Sequence, residues 1–431
     1  MTARTSGGRD AIVVGAGLAG LAAALRLARA GASVTLVTKG VGGLQLSQGT
    51  LDVLGYAPER VTRPYDSLTA FAAADPGHPY GLLGPDAVRA GVDFVTEVAG
   101  PALLAPGDGT NLQLPTAVGA VRPTAVAQPS MVAGQVVDGT KFVAVGLRRL
   151  KDFQASLVAA NLARTVRPDS DGRQRGGVVE ARHAWIDVEV RPGEHDTTGL
   201  NHARALDDPA VRERFARAVA GVVRDGETVL LPAVLGLDDA GAFAHLQRLI
   251  GHPIAEVPLP PPGVPGMRLF RTLSAAARDA GVRFINGSPV VGLTTDAGAV
   301  TALVVGETGR RVELRGRAFV FAPGGFESGA LAVDSYGRIT ETALGLPLTQ
   351  HDAKGLISAD FWGSDQALFR VGVAVDDAMR VVDAAGAVVH PNLYAAGGIL
   401  AGASRWHEKS GEGIAAASGV RAADQILQEA R

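Results

Sequence analysis

The stretch that decides the fold is Ala11-Ile-Val-Val-Gly-Ala-Gly-Leu-Ala-Gly20, an apolar strand that runs into three spaced glycines. A helical segment follows from Leu21 to Ala30, and a second apolar strand runs from Ser33 to Thr38. A strand, a helix and a second strand within forty residues predict a βαβ unit of the dinucleotide-binding kind. This context gives the glycine pattern its weight, because three spaced glycines alone are a weak signal.

Each glycine of the motif has a predicted task. Gly15 permits the tight turn, Gly17 lets the backbone approach a pyrophosphate, and Gly20 lets the helix pack on the strand. The free N–H groups and the dipole at the helix start favour phosphate binding. The predicted cofactor contacts in this turn are Gly15, Ala16, Gly17, Leu18, Ala19 and Gly20.

A rival interpretation of the N-terminus is a secretory signal peptide, since Arg4 and Arg9 precede an alanine-rich apolar run. Three glycines interrupt that run, and Arg26 and Arg29 fall inside the helix. The uncharged stretch is also too short for a membrane span. We therefore expect neither a targeting segment nor a direct membrane span.

The composition excludes several kinds of site. The chain has 431 residues, 47% of them hydrophobic, which is enough for two or three domains. A net charge of −2 gives no reason to expect nucleic acid or an anionic membrane as a partner. Because there is no cysteine, the chain can hold no disulfide, thiol nucleophile or cysteine-ligated iron–sulfur cluster. The nine histidines are scattered, so no metal site is predicted, and a cytoplasmic α/β protein is the expectation.

The order of the later elements indicates a split domain. Short strands follow one another from Val282, a buried strand ends at Gly324-Gly325, and another ends at Gly397-Gly398 before a long C-terminal helix. We predict an α/β, Rossmann-like fold of the two-dinucleotide-binding flavoprotein class with an inserted second domain. Its flavin-binding domain would span 1–74 and 282–431, and the inserted substrate or cap domain would span 75–281.

The end of the second strand departs from the usual pattern. Thr38 and Lys39 stand where a ribose-binding unit commonly has Asp or Glu. The Thr38 hydroxyl can still bind a ribose, more weakly, or the residue can simply end the strand. Both alternatives stay open, and Thr38 and Lys39 are included among the predicted cofactor contacts.

The C-terminal glycines supply a second predicted part of the flavin site. Gly397 and Gly398 end a strand, and Gly411 and Gly413 open the last helix. A helix N-terminus directed at the flavin would stabilise the negative charge of its reduced form. The alternative is a glycine-rich loop that binds no ligand.

Distinctive residues along the chain carry a family resemblance. They are Gly15-x-Gly-Leu-Ala-Gly-Leu21, Val37-Thr-Lys39, Ser47 to Leu54, His78-Pro-Tyr-Gly-Leu-Leu-Gly-Pro85, Asp152-Phe-Gln-Ala155, Leu231-Pro-Ala233, Leu259-Pro-Pro261 with Gly266-Met-Arg-Leu269, and Phe326-x-Ser-Gly329. Over nearly its whole length the chain resembles the B subunit of the anaerobic glycerol-3-phosphate dehydrogenase, a flavoprotein distantly similar to fumarate reductase flavoprotein subunits. The resemblance is weaker near the C-terminus, where Trp406-His-Glu-Lys409 has no place in the family pattern.

The resemblance implies oxidation of sn-glycerol 3-phosphate to dihydroxyacetone phosphate, with the electrons passed to a quinone. It also implies a second flavoprotein subunit and a membrane-associated iron–sulfur subunit as partners. Attachment to the inner face of the cell membrane through such a partner is the alternative to a purely cytoplasmic location. The lack of cysteine agrees with this division of labour, because this chain would need a partner to move electrons onward.

The cofactor prediction has two parts. The family is usually assigned FMN, whereas an intact GxGxxG motif favours a cofactor with a pyrophosphate, which is FAD. Fumarate reductases attach flavin through a histidine after the second strand, but this chain has Ser47-Gln48-Gly49 and no histidine nearby. We therefore predict a non-covalent flavin, preferably FAD, with Ser47 and Gly49 among its contacts.

The substrate site is predicted less closely. A phosphate needs an arginine or a helix start to orient it, and Arg268 is the first candidate, with Arg204 the second. The alternative for Arg268 is a surface arginine near a helix start. His78 has a proline neighbour and can be a structural turn residue, so no catalytic base is assigned. Oxidation or reduction of another small anion, and a flavin electron-relay subunit without catalysis, remain competing functions.

Overall fold

The computed structural model describes residues 8–168, 174–176, 178–360, 363 and 365–430. The chain divides into two compact units. The first unit comprises Met1–Gly43, Asp52–Val98 and Thr272–Arg431, and the second comprises Leu44–Leu51 and Ala99–Arg271. These bounds differ from the expected ones mainly at 75–98, which belongs to the first unit.

The described strands are β1 (Arg9–Val14), β2 (Val34–Thr38), β3 (Leu112–Pro115), β4 (Val121–Thr124), β5 (Lys141–Leu147), β6 (Val166–Pro168), β7 (Gln174–Gly176), β8 (Glu180–Ile186), β9 (Thr228–Pro232), β10 (Ile254–Val257), β11 (Arg283–Asn286), β12 (Val290–Asp296), β13 (Ala299–Glu307), β14 (Arg310–Phe321), β15 (Leu331–Val333), β16 (Ile339–Glu341) and β17 (Leu393–Ala395). The described α-helices are α1 (Leu18–Arg29), α2 (Pro64–Ala74), α3 (Pro79–Ala99), α4 (Pro129–Val132), α5 (Ala155–Ala163), α6 (Gly199–Ala205), α7 (Pro209–Ala220), α8 (Ala242–Ile250), α9 (Val264–Asp279), α10 (Arg405–Glu408) and α11 (Gly411–Glu429).

The central sheet of the first unit has parallel strands in the order β11, β2, β1, β14, β17. The long strand β14 belongs both to this parallel sheet and to an antiparallel set of strands. Its first half pairs antiparallel with β13, which pairs with β12, and its last residues pair parallel with β1 and β17. The carboxyl ends of β1, β2, β14 and β17 therefore share one edge of the sheet, where α/β proteins place their ligands. The predicted Rossmann-like α/β fold is confirmed.

Small residues let the helices of the first unit approach closely. Nearly every residue of α1 is buried, and a side chain at Gly419 of α11 would overlap the carbonyl oxygen of Ala19 in α1. On α3, a Cβ at Gly91 would lie 2.6 Å from backbone atoms of Ala417. Because α3 packs this tightly on α11, residues 75–98 belong to the first unit rather than to the insertion.

The second unit has its own parallel sheet, in the order β10, β9, β5, β8. Strand β5 is central and apolar, and fully buried side chains such as Phe142, Phe153 and Phe215 fill the core around it. Burial on both sides explains why β5 and β9 are continuous apolar runs, whereas the edge strand β8 carries Glu180, Arg182 and His183. No described helix in either unit is long and apolar enough to cross a membrane.

Candidate functional site

Two glycines of the β1–α1 turn are required by the protein's own backbone. Gly15 has a φ of 98°, and a side chain on it would overlap the carbonyl oxygen of Ala322. A side chain on Gly20 would overlap the carbonyl oxygen of Gly15. These residues are glycine because strand, turn and helix approach too closely for a Cβ atom.

The middle glycine is different. Gly17 has a φ of −74°, which any residue can adopt, and a Cβ there would meet no protein atom within 4 Å. Neither backbone conformation nor protein packing therefore requires glycine at this position. The free space in front of Gly17 fits the predicted approach of a pyrophosphate to the backbone.

The backbone N–H groups of this turn also indicate a ligand site. Gly15 donates its N–H to the carbonyl of Val37 at 2.8 Å, and Leu21 donates to Gly17 at 3.0 Å. Between them, the N–H groups of residues 16–20 have no acceptor within the described chain. The first turn of α1 has no side-chain cap and no acidic residue. An uncapped helix start with five such donors in succession is a built anion site.

A cavity of about 230 Å³ lies at the carboxyl ends of β1 and β2. Its lining includes Gly15, Thr38, Lys39, Ser288 and Pro323. The cavity lies beside the β1–α1 turn and at the end of β2. A Rossmann-like unit holds the nucleoside part of a dinucleotide at this position. The residues present therefore fit a dinucleotide cofactor in the first unit.

Thr38 is committed to its own turn. The residue is 7% exposed, and its hydroxyl donates to the carbonyl of Gly40 at 2.6 Å and accepts the N–H of Gly40 at 3.3 Å. Because the hydroxyl hydrogen is engaged, the oxygen can only accept a further bond from a ribose. The ribose contact of Thr38 stays a prediction. Lys39 and Gly329 line the same cavity. A Cβ atom added to Gly329 would lie 3.6 Å from the Lys39 ammonium.

The glycines at the end of β17 meet the end of β14. Gly397 has a φ of 74° and donates its N–H to the Ser418 hydroxyl at 2.9 Å. A Cβ on Gly325 would lie 2.9 Å from the carbonyl oxygen of Gly398, which also accepts a hydrogen bond from Arg405. Gly397 and Gly398 thus lie at the same sheet edge as the β1–α1 turn, and their contact with flavin stays a prediction.

Gly411 and Gly413, in the first turn of α11, have separate roles. A side chain on Gly413 would overlap the Tyr80 hydroxyl, and its N–H donates to the carbonyl of Asp52 at 2.9 Å, so protein packing accounts for this glycine. A Cβ on Gly411 would meet its nearest neighbour at 3.6 Å, an ordinary contact, and the Gly411 N–H has no acceptor within the described residues. Ser410, at the N-cap position, forms no capping bond to α11. The first N–H group of α11, at Gly411, is therefore available to a ligand within the described structure.

In the second unit, Arg268 is fully engaged. Its guanidinium pairs with both carboxylate oxygens of Glu256 at 2.6 and 2.9 Å. It also donates twice to the carbonyl of Gly236 and once to the side chain of Gln128. These five hydrogen bonds equal the five N–H donors of arginine. Anion binding by Arg268 stays a prediction, and it requires the guanidinium to give up at least one of these bonds.

The partner carboxylate is equally well satisfied. Glu256 is fully buried and also accepts from the Ser130 hydroxyl at 2.6 Å and the Leu235 N–H at 2.8 Å. Burial alone would raise the pKa of Glu256, but the charge and hydrogen bonds of Arg268, with those two donors, hold this pKa below its ordinary value. The pair is therefore a charged structural element of the second unit.

The predicted flavin contacts Ser47 and Gly49 are held within the second unit. The Gln128 amide donates to the carbonyls of Gly49 and Pro265 at 3.1 and 2.9 Å. The Ser47 hydroxyl accepts the N–H of Gly49 at 3.1 Å. Their contact with flavin stays a prediction. Arg204, in the last turn of α6, is exposed, and its guanidinium has no hydrogen-bond partner within the described part of the chain.

One buried pair is not predicted from the sequence. His78 and Glu408 are 1% and 6% exposed, and His78 Nε2 lies 3.0 Å from Glu408 Oε2. The segment that contains Glu408 fits no sequence pattern, and its burial is the reverse of what residue type predicts, since Trp406 is 53% exposed while Glu408 points inward. Within the described residues, no group of three or more potential ligands could hold a metal ion.

Comparison with protein families gives a match to the FAD binding domain over residues 10–414. The chain is 33% identical over 425 residues to a probable B subunit of an anaerobic glycerol-3-phosphate dehydrogenase from Halobacterium salinarum, covering 96% of each chain. It is 29% identical over 432 residues to the corresponding B subunit of Pectobacterium atrosepticum, covering 97% of this chain and 99% of the other. The family match confirms the predicted flavin cofactor.

Solved structures similar to this chain are more distant. An open conformation of a flavocytochrome c3 fumarate reductase has 13% identity and a TM-score of 0.46, covering 99% of this chain and 79% of the other. A 3-ketosteroid Δ1-dehydrogenase from Sterolibacterium denitrificans, in complex with 1,4-androstadiene-3,17-dione, has 13% identity and a TM-score of 0.46, covering 98% and 100%.

Proposed function

Because this chain belongs to the FAD-binding domain family and to the family of anaerobic glycerol-3-phosphate dehydrogenase B subunits, we propose that it is the flavin-binding subunit of an enzyme that oxidises sn-glycerol 3-phosphate to dihydroxyacetone phosphate. The observation that carries the proposal is the turn at residues 16–20, with open space at Gly17 and five N–H donors that have no acceptor in the described chain. The names of the relatives supply the substrate.

The geometry supports FAD over FMN as the cofactor. FMN has a single phosphate and no adenosine, so it would leave the cavity beside Thr38 and Lys39 without a ligand group. The N–H groups of residues 16–20 would hold the pyrophosphate, and the cavity would hold the adenosine part. No histidine lies between Thr38 and Leu51, in agreement with non-covalent binding.

A flavin held by these residues would supply the hydride acceptor for alcohol oxidation. The protein must orient the substrate phosphate and take the hydroxyl proton. Arg204 is the proposed phosphate ligand that has free donors in the described structure, whereas Arg268 would have to exchange partners. At the other end of the flavin, the open N-terminus of α11 at Gly411 would stabilise negative charge in the reduced state.

Electrons must leave through a partner. The sequence contains no cysteine, so no cysteine-ligated cluster can form in this chain. We propose a second flavoprotein subunit and a membrane-associated iron–sulfur subunit as the partners that pass electrons to a quinone. The subunit names of the relatives support a complex of several chains.

A second candidate is a flavin electron-relay subunit whose substrate site lies in a partner. The complete engagement of Arg268 favours it, since the first predicted phosphate ligand has no spare donor. The two candidates share the cofactor and differ in whether substrate reduces the flavin of this chain directly.

One experiment tests the proposal and separates the candidates. The purified chain is loaded with FAD and mixed anaerobically with glycerol 3-phosphate, with and without the partner subunits, while flavin absorbance is followed. Before any flavin is added, acid release and mass analysis identify the flavin that copurifies with the chain, which we expect to be FAD. Bleaching of the isolated chain supports catalysis here, bleaching only with partners supports the relay, and a folded chain that takes up no flavin would overturn both.

A further inference from the structure

We propose that Glu408 and His78 are positioning residues for the flavin: the buried pair holds the open N-terminus of α11 in place and sets a fixed negative charge behind it. The proposal rests on the proposed flavin function. It concerns residues of the first unit that lie outside both glycine motifs.

The protonation of the pair follows from its hydrogen bonds. Tyr80 donates its backbone N–H to His78 Nδ1 at 3.1 Å, so this ring nitrogen is an acceptor. The ring hydrogen therefore sits on Nε2, which donates to Glu408 Oε2 at 3.0 Å. A neutral imidazole beside a carboxylate leaves the pair with one net negative charge.

The carboxylate is built to remain ionised. It accepts the Ser410 hydroxyl at 2.7 Å and the Ser404 N–H at 2.9 Å in addition to His78. Burial alone would raise the pKa of Glu408, but the hydrogen bonds from His78, Ser410 and Ser404 bring that pKa below its ordinary value. Glu408 therefore holds its charge inside the protein at neutral pH.

The backbone around Glu408 is shaped for this arrangement. Lys409 has a φ of 54°, a left-handed conformation that is uncommon outside glycine. It places the side chains of Glu408 and Ser410 together. The carbonyl of Glu408 accepts the N–H groups of Gly55 and Tyr56 at 2.8 and 3.1 Å, which ties the segment to the rest of the unit.

The consequence is a helix start without a cap. Ser410 stands at the N-cap of α11 but forms no capping bond, and its side chain is directed to Glu408, to which the hydroxyl donates at 2.7 Å. Tyr80 fixes the same point, since its hydroxyl lies within hydrogen-bond distance of the carbonyls of Val53 and Ser410. Gly411 is thereby left at a rigidly held position, with an N–H that has no acceptor in the described chain.

Two opposing fields then act on a flavin at this helix start. The positive end of α11 favours the negative charge of reduced flavin, whereas the carboxylates of Glu408 and of Glu412, in the first turn of α11, oppose it. Glu408→Gln keeps the side-chain shape and removes the charge. We expect this variant to retain FAD and to have a higher flavin midpoint potential than the wild type.

The matched control is Glu429→Gln at the other end of α11. Glu429 accepts a hydrogen bond from the Tyr394 hydroxyl at 2.7 Å and lies about 27 Å along the helix from Gly411. Its removal deletes a carboxylate at the far end of α11 and leaves the charge around Gly411 unchanged. Equal potentials in Glu408→Gln, Glu429→Gln and wild type would overturn the electrostatic part of the proposal.

A second variant tests the positioning without relying on the potential. His78→Leu removes the donor to Glu408, and we expect faster amide hydrogen exchange at residues 404–413 in the flavin-free chain and at least about fivefold weaker FAD binding. His78→Gln, whose amide nitrogen can replace Nε2, should restore both. Unchanged exchange in His78→Leu would overturn the positioning role, whereas a wild type that binds no FAD would overturn the proposed function instead.

Discussion

The β1–α1 turn and the Arg268 cluster are both predicted from the sequence to bind anions, and they are opposites in structure. At the turn, five successive backbone N–H groups have no acceptor within the described chain, and Gly17 faces open space. Around Arg268, five N–H donors meet five hydrogen bonds to Glu256, Gly236 and Gln128. One region holds unsatisfied donors in a fixed arrangement, and the other has none to spare.

The difference teaches how to separate a ligand site from a structural brace. A buried polar group without a partner costs free energy, so a protein retains such groups where a ligand completes them. A buried guanidinium that is fully paired contributes to holding its own fold together. Charge and residue type do not distinguish a ligand site from a structural ion pair. The number of N–H donors, compared with the number of hydrogen bonds that they form, does.

The largest effect is expected at Arg268. Arg268→Ala leaves the fully buried Glu256 carboxylate without its cation, which should lower the free energy of unfolding of the second unit by about 3–5 kcal/mol. Arg271→Ala, on the same helix but in an exposed pair with Asp238, should change it by about 1 kcal/mol or less. Urea unfolding measures both. A small loss of stability in Arg268→Ala, together with lost bleaching by glycerol 3-phosphate, would make Arg268 an anion ligand after all.

The turn can be tested through its two kinds of glycine. Gly17→Val should weaken FAD binding by about 100-fold or more, equivalent to about 2.7 kcal/mol, while the chain stays folded, because the new side chain fills ligand space. Gly20→Ala should instead destabilise the fold by about 1–3 kcal/mol, since its Cβ would overlap the Gly15 carbonyl. Fluorescence titration and thermal unfolding distinguish the two. Full FAD affinity in Gly17→Val would place the cofactor elsewhere.

His202 sharpens the comparison, because it is a buried group of the second unit whose Nδ1 lacks a partner in the described structure. Burial, and secondarily the nearby Arg149 charge, lowers the pKa of His202 to about 4. The unfolded chain binds the proton more readily, so stability is full above about pH 6.5 and falls by up to about 3 kcal/mol as the pH drops to about 4.

The check is a series of unfolding curves between pH 4 and 7. In His202→Gln the amide nitrogen can keep the hydrogen bond to the Thr197 hydroxyl, which Nε2 forms at 2.7 Å, but the side chain no longer titrates. We expect a flatter pH dependence in this variant. Identical pH profiles for wild type and variant would assign the acid sensitivity to other groups.

The smallest effect is expected at Thr38. Its hydroxyl hydrogen is used by Gly40, so a ribose can gain only a weak contact, and Thr38→Val should lower FAD affinity less than about tenfold. FMN affinity should not change, because FMN carries no adenosine ribose. Titration with each flavin separates the outcomes, and an equal loss for both would mean that Thr38 supports the loop alone.

Local sequence signals are sufficient for the β1–α1–β2 unit. The glycine spacing and apolar runs predict both strands, and α1 begins at Leu18 rather than Leu21 because Gly17 already serves as its N-cap. The same signals place the C-terminal helix, observed at Gly411–Glu429. These elements depend on neighbours within a few residues, which is why a single sequence identifies them.

Local sequence signals do not predict pairing between residues far apart in the chain. His78 and Glu408 are 330 positions apart, so local signals predict only a turn at His78 and nothing for the segment of Glu408. Arg268 is recognisable as a cation near a helix start, but its acceptor Gly236 lies 32 residues away in a different element. Whether a charged residue is satisfied depends on tertiary partners that have no periodic signal in the sequence.

The first unit is assembled from both ends of the chain, and this sets an order for its synthesis. Strand β17 and helix α11, which complete the sheet edge and pack on α1, are made after the second unit. At roughly 5–20 residues per second, the finished β1–α1 segment must wait about 20–80 seconds for its partners, whereas the second unit can complete earlier. During that interval an apolar helix and sheet edge are uncovered, so we expect the nascent chain to be exposed to aggregation until β17 and α11 cover them.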